Sequence, residues 1–144
     1  SDPEGTGAKN AMQLAINEAG IALEQVDYIN THGTSTPIGD VAEVKAIQDV
    51  FGEHAYHISL TSSKSMTGHI LGGTGAVEAI ISILSMQYGI VTPTINHQEG
   101  DEDPNIDYKL NFTFNQAQQR DIRYAMSNNF GFGGHNACLL FKRI

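Results

Sequence analysis

From about Thr74 to Tyr88 the chain runs at helical length through residues that are almost all apolar, interrupted only by Glu78, Ser82, Ser85 and Gln87. A helix that is apolar on nearly every side belongs inside a protein rather than on its surface. Glu78, Ser82 and Ser85 fall at i, i+4 and i+7 and so form one stripe. Two readings of that stripe are open. It can be the solvent-facing line of an otherwise buried helix. Alternatively, it carries a partly buried carboxylate that holds Lys64 or a neighbouring loop through a charge-assisted hydrogen bond.

The segments around this helix alternate in type. Ala8, Ala11, Met12, Ala15, Ile16 and Ala19 recur at helical spacing and stop at Gly20, and Ser1-Asp2-Pro3-Glu4-Gly5 leads straight into them with no strand before. Val26–Ile29 reads as a short strand. Asp40 and Glu43 have the spacing of a capping box, and Val41, Val44, Ile47 and Val50 supply an apolar face as far as Gly52. A second strand is expected near Tyr56–Leu60, then an ordered loop over Thr61–Gly75, and a polar, turn-rich stretch from Pro93 to Asn115. Two last strands, Tyr124–Asn128 and Asn136–Phe141, flank Phe130-Gly131-Phe132-Gly133-Gly134. Helices alternating with strands, followed by a strand pair, predict an α/β fold of layered helices and a mixed β-sheet.

At 144 residues, 40% of them apolar, residues 1–144 read as one domain able to bury a core. A net charge of −8 argues against a nucleic-acid or anionic-membrane partner, which would repel it. No apolar run is long enough to span a bilayer, and the N-terminus lacks a charged-then-apolar leader pattern. The single cysteine, Cys138, excludes an internal disulfide and fits a cytoplasmic setting. It lies in the apolar run Ala137–Phe141 and reads as core packing, because a reactive thiol needs an electropositive or helix-terminal setting.

Three segments concentrate side chains able to do chemistry. The first, Thr31-His32-Gly33-Thr34-Ser35-Thr36-Pro37, follows a predicted strand, where α/β sheets bind ligands. An imidazole there either exchanges protons near neutral pH or merely ties down a turn. The second runs Ser63-Lys64-Ser65-Met66-Thr67-Gly68-His69 into Gly72-Gly73-Thr74-Gly75. It is neither a phosphate loop, which needs Gly-Lys-Ser/Thr after its last glycine, nor a dinucleotide fingerprint, which needs a third glycine. Its glycines fit a helix N-terminus lying close to another backbone. The third, Asn128-Asn129-Phe130-Gly131-Phe132-Gly133-Gly134-His135-Asn136, is either a mobile aromatic gate or a tight hairpin turn. His54 and His57 are placed to share a metal, but no cysteine or acidic cluster completes a zinc set, so no metal and no cofactor are expected.

In order and spacing, Asn30-Thr31-His32-Gly33-Thr34-Ser35-Thr36-Pro37, Lys64-Ser65-Met66-Thr67-Gly68-His69 and Asn129-Phe130-Gly131-Phe132-Gly133-Gly134 resemble the β-ketoacyl-[acyl carrier protein] synthases. These are the condensing branch of the thiolase-like superfamily, and the resemblance is to their C-terminal half, over essentially the whole chain. It implies a decarboxylative condensation in which malonyl-carrier protein attacks an acyl thioester held on a cysteine. His32 and His69 match the two histidines that promote decarboxylation and stabilise the thioester enolate, a task suited to preorganised N–H donors. Lys64 matches the family lysine, an electrostatic and structural support, and Glu78 the acid that partners it. Thr34 and Thr36 match hydroxyls at the pantetheine entrance. Phe132, with Phe130 beside it, matches the aromatic gate, and Asp40 and Glu43 match acids of the supporting polar network.

The same resemblance marks what these residues lack. The nucleophilic cysteine sits on a strand-to-helix turn in the family's N-terminal half, and Cys138 matches a position in the last strand instead. The half's opening strand is also missing. The chain is therefore expected to be an inactive fragment by itself, with acyl carrier protein, the missing N-terminal half and a second copy of the full-length protein as partners. Paired histidines point to the elongating synthases of fatty-acid synthesis, and Ser65-Met66 to their type II members. A polyketide ketosynthase half shares the same groups. A noncatalytic dimerisation or carrier-docking domain is the alternative of another class. A degradative thiolase would need a second cysteine where Gly131-Phe132-Gly133-Gly134 stands.

Overall fold

The computed structural model describes residues 4–144; Ser1–Pro3, with which the opening segment begins, lie outside the described residues. Four helices and six strands follow in the order α1 (Thr6–Ala19), β1 (Tyr28–Asn30), α2 (Pro37–Phe51), β2 (Ser59–Thr61), α3 (Lys64–Thr67), α4 (Thr74–Tyr88), β3 (Ile90–Val91), β4 (Gln118–Gln119), β5 (Tyr124–Phe130) and β6 (Asn136–Lys142). The main sheet runs β2-β1-β5-β6. β1 lies parallel to both β2 and β5, and β6 returns antiparallel to β5, so the sheet is mixed as expected. β3 and β4 form a separate antiparallel pair.

Side-chain alternation along the strands divides the core in two. Ile29 and Met126 join Met12 and Ile16 of α1 and Val44 and Ile47 of α2 in one cluster. Tyr28 and Ala125 join Met86 of α4, Val91 and Ile122 in the other. Helices therefore cover both faces of the sheet, which is why its central strands read as short apolar runs rather than alternating ones. The strands match the expected ones to within a few residues. The stretch before β2 differs: Gly52–His57 is 3₁₀ helix, and pairing starts only at Ser59.

Two helix starts correct the sequence reading. The Asp40/Glu43 spacing is not a capping box, because α2 begins at Pro37, after Thr36. Proline's fixed φ suits the first helical position, and its missing N–H is one the first turn leaves unpaired. Lys64–Thr67 is a helical turn inside the expected loop.

The larger correction is α4. Its polar stripe faces the sheet: Glu78 and Ser82 are 0% exposed and Ser85 3%. Ile80, Ile83 and Leu84 face outward, 57%, 44% and 43% exposed. The solvent-facing reading of the stripe is thus excluded, and the apolar surface of this helix is left uncovered among the described residues.

Candidate active site

β1 and β2 run parallel and end together, and each delivers one chemically loaded loop from its carboxyl end. Thr31 N–H extends the ladder to Thr61 O at 2.8 Å, so His32 is set one residue beyond the sheet. There the loop is anchored by a carboxylate from α2. His32 N–H and Gly33 N–H donate to the two oxygens of Glu43, each at 2.9 Å, and Asn128 Nδ2 of β5 donates to Glu43 Oε1 at 3.3 Å. Burial pushes the Glu43 carboxyl up to about 7 even though those donors and the Lys64 charge pull it down. Gly33 is required here: its φ is +38°, and a Cβ would lie 2.7 Å from Thr31 Oγ1 and 2.8 Å from Ser62 Cβ.

Beyond Gly33 the chain carries the hydroxyl pair Thr34 and Thr36, whose Oγ atoms lie 3.3 Å apart. Asp40, in the first turn of α2, accepts Ser35 N–H at 3.2 Å, and burial raises its pKa despite that bond. Both acids of the supporting pair therefore brace the His32 loop, each through backbone N–H donors.

The second loop places Lys64 and His69. Lys64 Nζ donates to Glu78 Oε1 at 2.5 Å, with the two side chains 5% and 0% exposed. Burial raises the Glu78 pKa against the pull of Lys64. The link across to α4 answers the question the sequence left open. Glu78 is the buried partner of Lys64.

His32 and His69 converge. Their rings lie 5.8 Å apart, edge to face at 88°, and the Phe130 ring lies 5.5 Å from His32. Burial, with the nearby Lys64 charge and His69, lowers the His32 pKa to about 4, so its ring is neutral at physiological pH. Leu71 N–H donates to His69 Nδ1 at 3.1 Å. An amide can only donate, so Nδ1 is the acceptor and a neutral ring carries its proton on Nε2. Leu71 adopts φ 53° to do this, an uncommon conformation for a leucine.

Phe132 stands apart from this group. It is 95% exposed on the turn joining β5 to β6, where Gly133 and Gly134 have φ of 77° and 82°. The hairpin reading of that segment describes it: β5 and β6 pair antiparallel, and the turn projects the Phe132 ring into solvent. Cys138 lies on β6 with its thiol pushed up to about 12 by burial and the Glu43 charge, far from the range of a nucleophile. His54 Nε2 bonds Val26 O at 2.8 Å, so this ring serves the fold. Among the described residues no three His, Cys, Asp or Glu side chains gather as a metal site.

A cavity of about 460 Å³ opens beside Thr34, Lys64 and His69, with Ile95, Ile106 and Phe112 on its apolar wall. That wall belongs to the long Pro93–Asn115 stretch, which sequence reasoning left without a role. Thr94 Oγ1 accepts Ser62 N–H at 3.0 Å and Ser65 Oγ accepts Ile95 N–H at 3.0 Å, so the stretch buttresses the lysine loop. Asn128, the first residue of the third segment, serves behind Glu43, a role that had no sign in the sequence.

Comparison with known proteins agrees with this geometry. Residues 1–98 match the model of the β-ketoacyl synthase C-terminal domain. The chain belongs to the β-ketoacyl synthase family. It is 54% identical over 142 residues to 3-oxoacyl-[acyl-carrier-protein] synthase 2 of Staphylococcus aureus (strain COL), covering 99% of this chain and 33% of that protein. With the Coxiella burnetii protein of the same name the identity is 47% over 143 residues, covering 99% and 34%. The chain therefore spans about a third of the length of these relatives. A solved β-ketoacyl synthase from Burkholderia phymatum superposes with a TM-score of 0.90 at 40% identity, covering 100% of this chain and 34% of that one. A type II polyketide ketosynthase solved with its acyl carrier protein gives 0.92 at 33% identity, covering 99% and 34%. The thiolase-like α/β fold expected from the motifs is thus the fold of this chain. No helix of the described residues is long and apolar enough to cross a membrane.

Proposed function

We propose that this chain is the C-terminal part of an elongating 3-oxoacyl-[acyl carrier protein] synthase and supplies the acid–base groups of its active site. The observation that carries the reading is the pair His32 and His69, with rings 5.8 Å apart and the His69 tautomer set by Leu71 N–H. Malonyl-carrier protein enters past Thr34 and Thr36, with Phe132 as the gate. When the malonyl C–C bond breaks, carbon dioxide leaves and the electron pair moves onto the thioester oxygen. His69 Nε2–H and the neutral His32 ring stabilise that enolate oxygen, and oriented donors do so without the reorganisation that water would need. The enolate carbon then attacks an acyl thioester on a cysteine of the missing part, forming the new C–C bond and releasing the cysteine thiolate. Lys64, fixed by Glu78, holds positive charge beside the site.

The 54% identity to synthase 2 exceeds the 33% to the polyketide ketosynthase, which favours fatty-acid elongation. The missing part also accounts for the uncovered face of α4, since Ile80, Ile83 and Leu84 form a surface for a neighbouring layer. Acyl carrier protein is the partner at the mouth of the site, the full-length protein is a homodimer, and the setting is the cytoplasm. Residues 1–144 act as one domain without a nucleophile, inactive alone. The test compares malonyl-carrier-protein decarboxylation and acyl condensation by this chain alone, by the chain mixed with the missing part, and by the full-length protein. Condensation only where the nucleophile is present is expected. A full-length protein with neither activity would overturn the proposal.

A further inference from the structure

The bond from Leu71 is not the only one on His69 Nδ1. Thr74 Oγ1 lies 3.2 Å from the same nitrogen, and it also accepts Ile70 N–H at 3.0 Å. A hydroxyl that accepts an amide proton is free to give its own, and the ring nitrogen is the acceptor beside it. The resulting relay runs from Ile70 N–H to Thr74 O–H to His69 Nδ1, alongside the direct bond from Leu71. Thr74 is 2% exposed and is the first residue of α4. A threonine at a helix start commonly turns its hydroxyl toward that helix's own free amides; here it reaches back across the turn to the histidine loop.

This placement gives the hydroxyl two effects. It closes the loop His69–Thr74 onto the rigid end of α4, the helix that also carries Glu78, so the histidine and the lysine partner share one support. It also adds a second donor at Nδ1, which favours the tautomer with Nε2 protonated and turned to other partners. We infer that Thr74 is a positioning residue of the site, acting through His69 on the stabilisation of the developing enolate. Thr74 itself touches no reacting atom.

The inference rests on the functional reading above, and its test separates the two. In the full-length protein containing this chain, malonyl-carrier-protein decarboxylation is measured for wild type, Thr74→Val, Thr74→Ala and Thr74→Ser. Leu71 N–H remains in every variant, so the loss is limited. The expected result is a fall in kcat of about three- to tenfold in the Val and Ala variants, with KM unchanged and Ser within about twofold of wild type. Melting temperatures identify a variant that fails to fold, and if Val does, the Ala and Ser pair carries the same comparison. Wild-type kcat in the hydroxyl-free variants, a serine variant as slow as alanine, or a change confined to KM would each overturn the role of Thr74. A wild type without decarboxylation overturns the functional reading, and the positioning role with it.

Discussion

Replacing Lys64 by methionine leaves Glu78 without its cation at a place where water does not reach. Nζ and Oε1 are 2.5 Å apart, and the side chains are 5% and 0% exposed. At an effective dielectric constant of about 20 the gross attraction at such a distance is about 7 kcal/mol, much of it offset by desolvation of both ions. The net worth of the pair is therefore small, whereas the cost of orphaning one member is about 3–5 kcal/mol. That is a large part of the stability of an ordinary domain. Urea unfolding of the chain, followed by circular dichroism, should show the Lys64→Met midpoint falling by about 1–3 M at pH 8. The loss should shrink at pH 5.5. Burial already raises the Glu78 pKa and Lys64 pulls it down, so removing Lys64 lets Glu78 take up a proton more readily. Lys64→Met combined with Glu78→Leu should recover most of the loss, because no buried charge is left. A single variant costing under about 1 kcal/mol, or a double variant equal to the sum of the singles, would refute the buried-pair account.

The Glu43 carboxyl, raised from 4.5 to about 7, makes its largest contribution to stability below pH 4.5 and loses it as pH rises to about 7. The His32 ring, lowered to about 4, acts in the opposite sense over much of the same interval, so the Glu43 part is read by difference: the melting temperature of wild type relative to Glu43→Gln should fall from pH 4.5 to about 7. Gly33→Ala, at φ +38° with Thr31 and Ser62 in the way, should cost more than about 1 kcal/mol in thermal unfolding. The uncovered face of α4 should make the chain self-associate in sedimentation, and Ile83→Glu with Leu84→Lys should return it toward monomer without lowering its melting temperature.

Sequence reasoning placed the candidate residues together better than it oriented the elements that bear them. His32, Lys64 and His69 stood out because they sit in loops between apolar segments, and those segments became the strands and helices that aim them. The face of α4 was not legible, because hydrophobic patterning shows which residues seek cover and not which neighbour provides it. Ser82 and Ser85 belong to the inner contact, where Ser82 Oγ bonds back to Glu78 O at 2.9 Å, while Ile80 and Ile83 face outward. The Asp40/Glu43 spacing misled for a related reason: a carboxylate three residues from another fits a cap, but Glu43 reaches the loop eleven residues upstream. α3 and the β3–β4 pair are too short to leave a periodic trace.

The bonds that set the two histidines differ in what mutation can do to them. Glu43 holds the His32 loop by the peptide N–H groups of His32 and Gly33, and Leu71 donates its own peptide N–H to His69. A donor that belongs to the backbone is supplied by nineteen of the twenty amino acids, and only proline withholds it. Position 71 can therefore vary among residues that tolerate its φ of 53° while the proton on His69 stays where it is. Drift in the side chains around the site need not touch the protonation pattern within it. That pattern is inherited through the length and course of the loops, and it is broken by insertion, deletion or proline rather than by most exchanges of side chain.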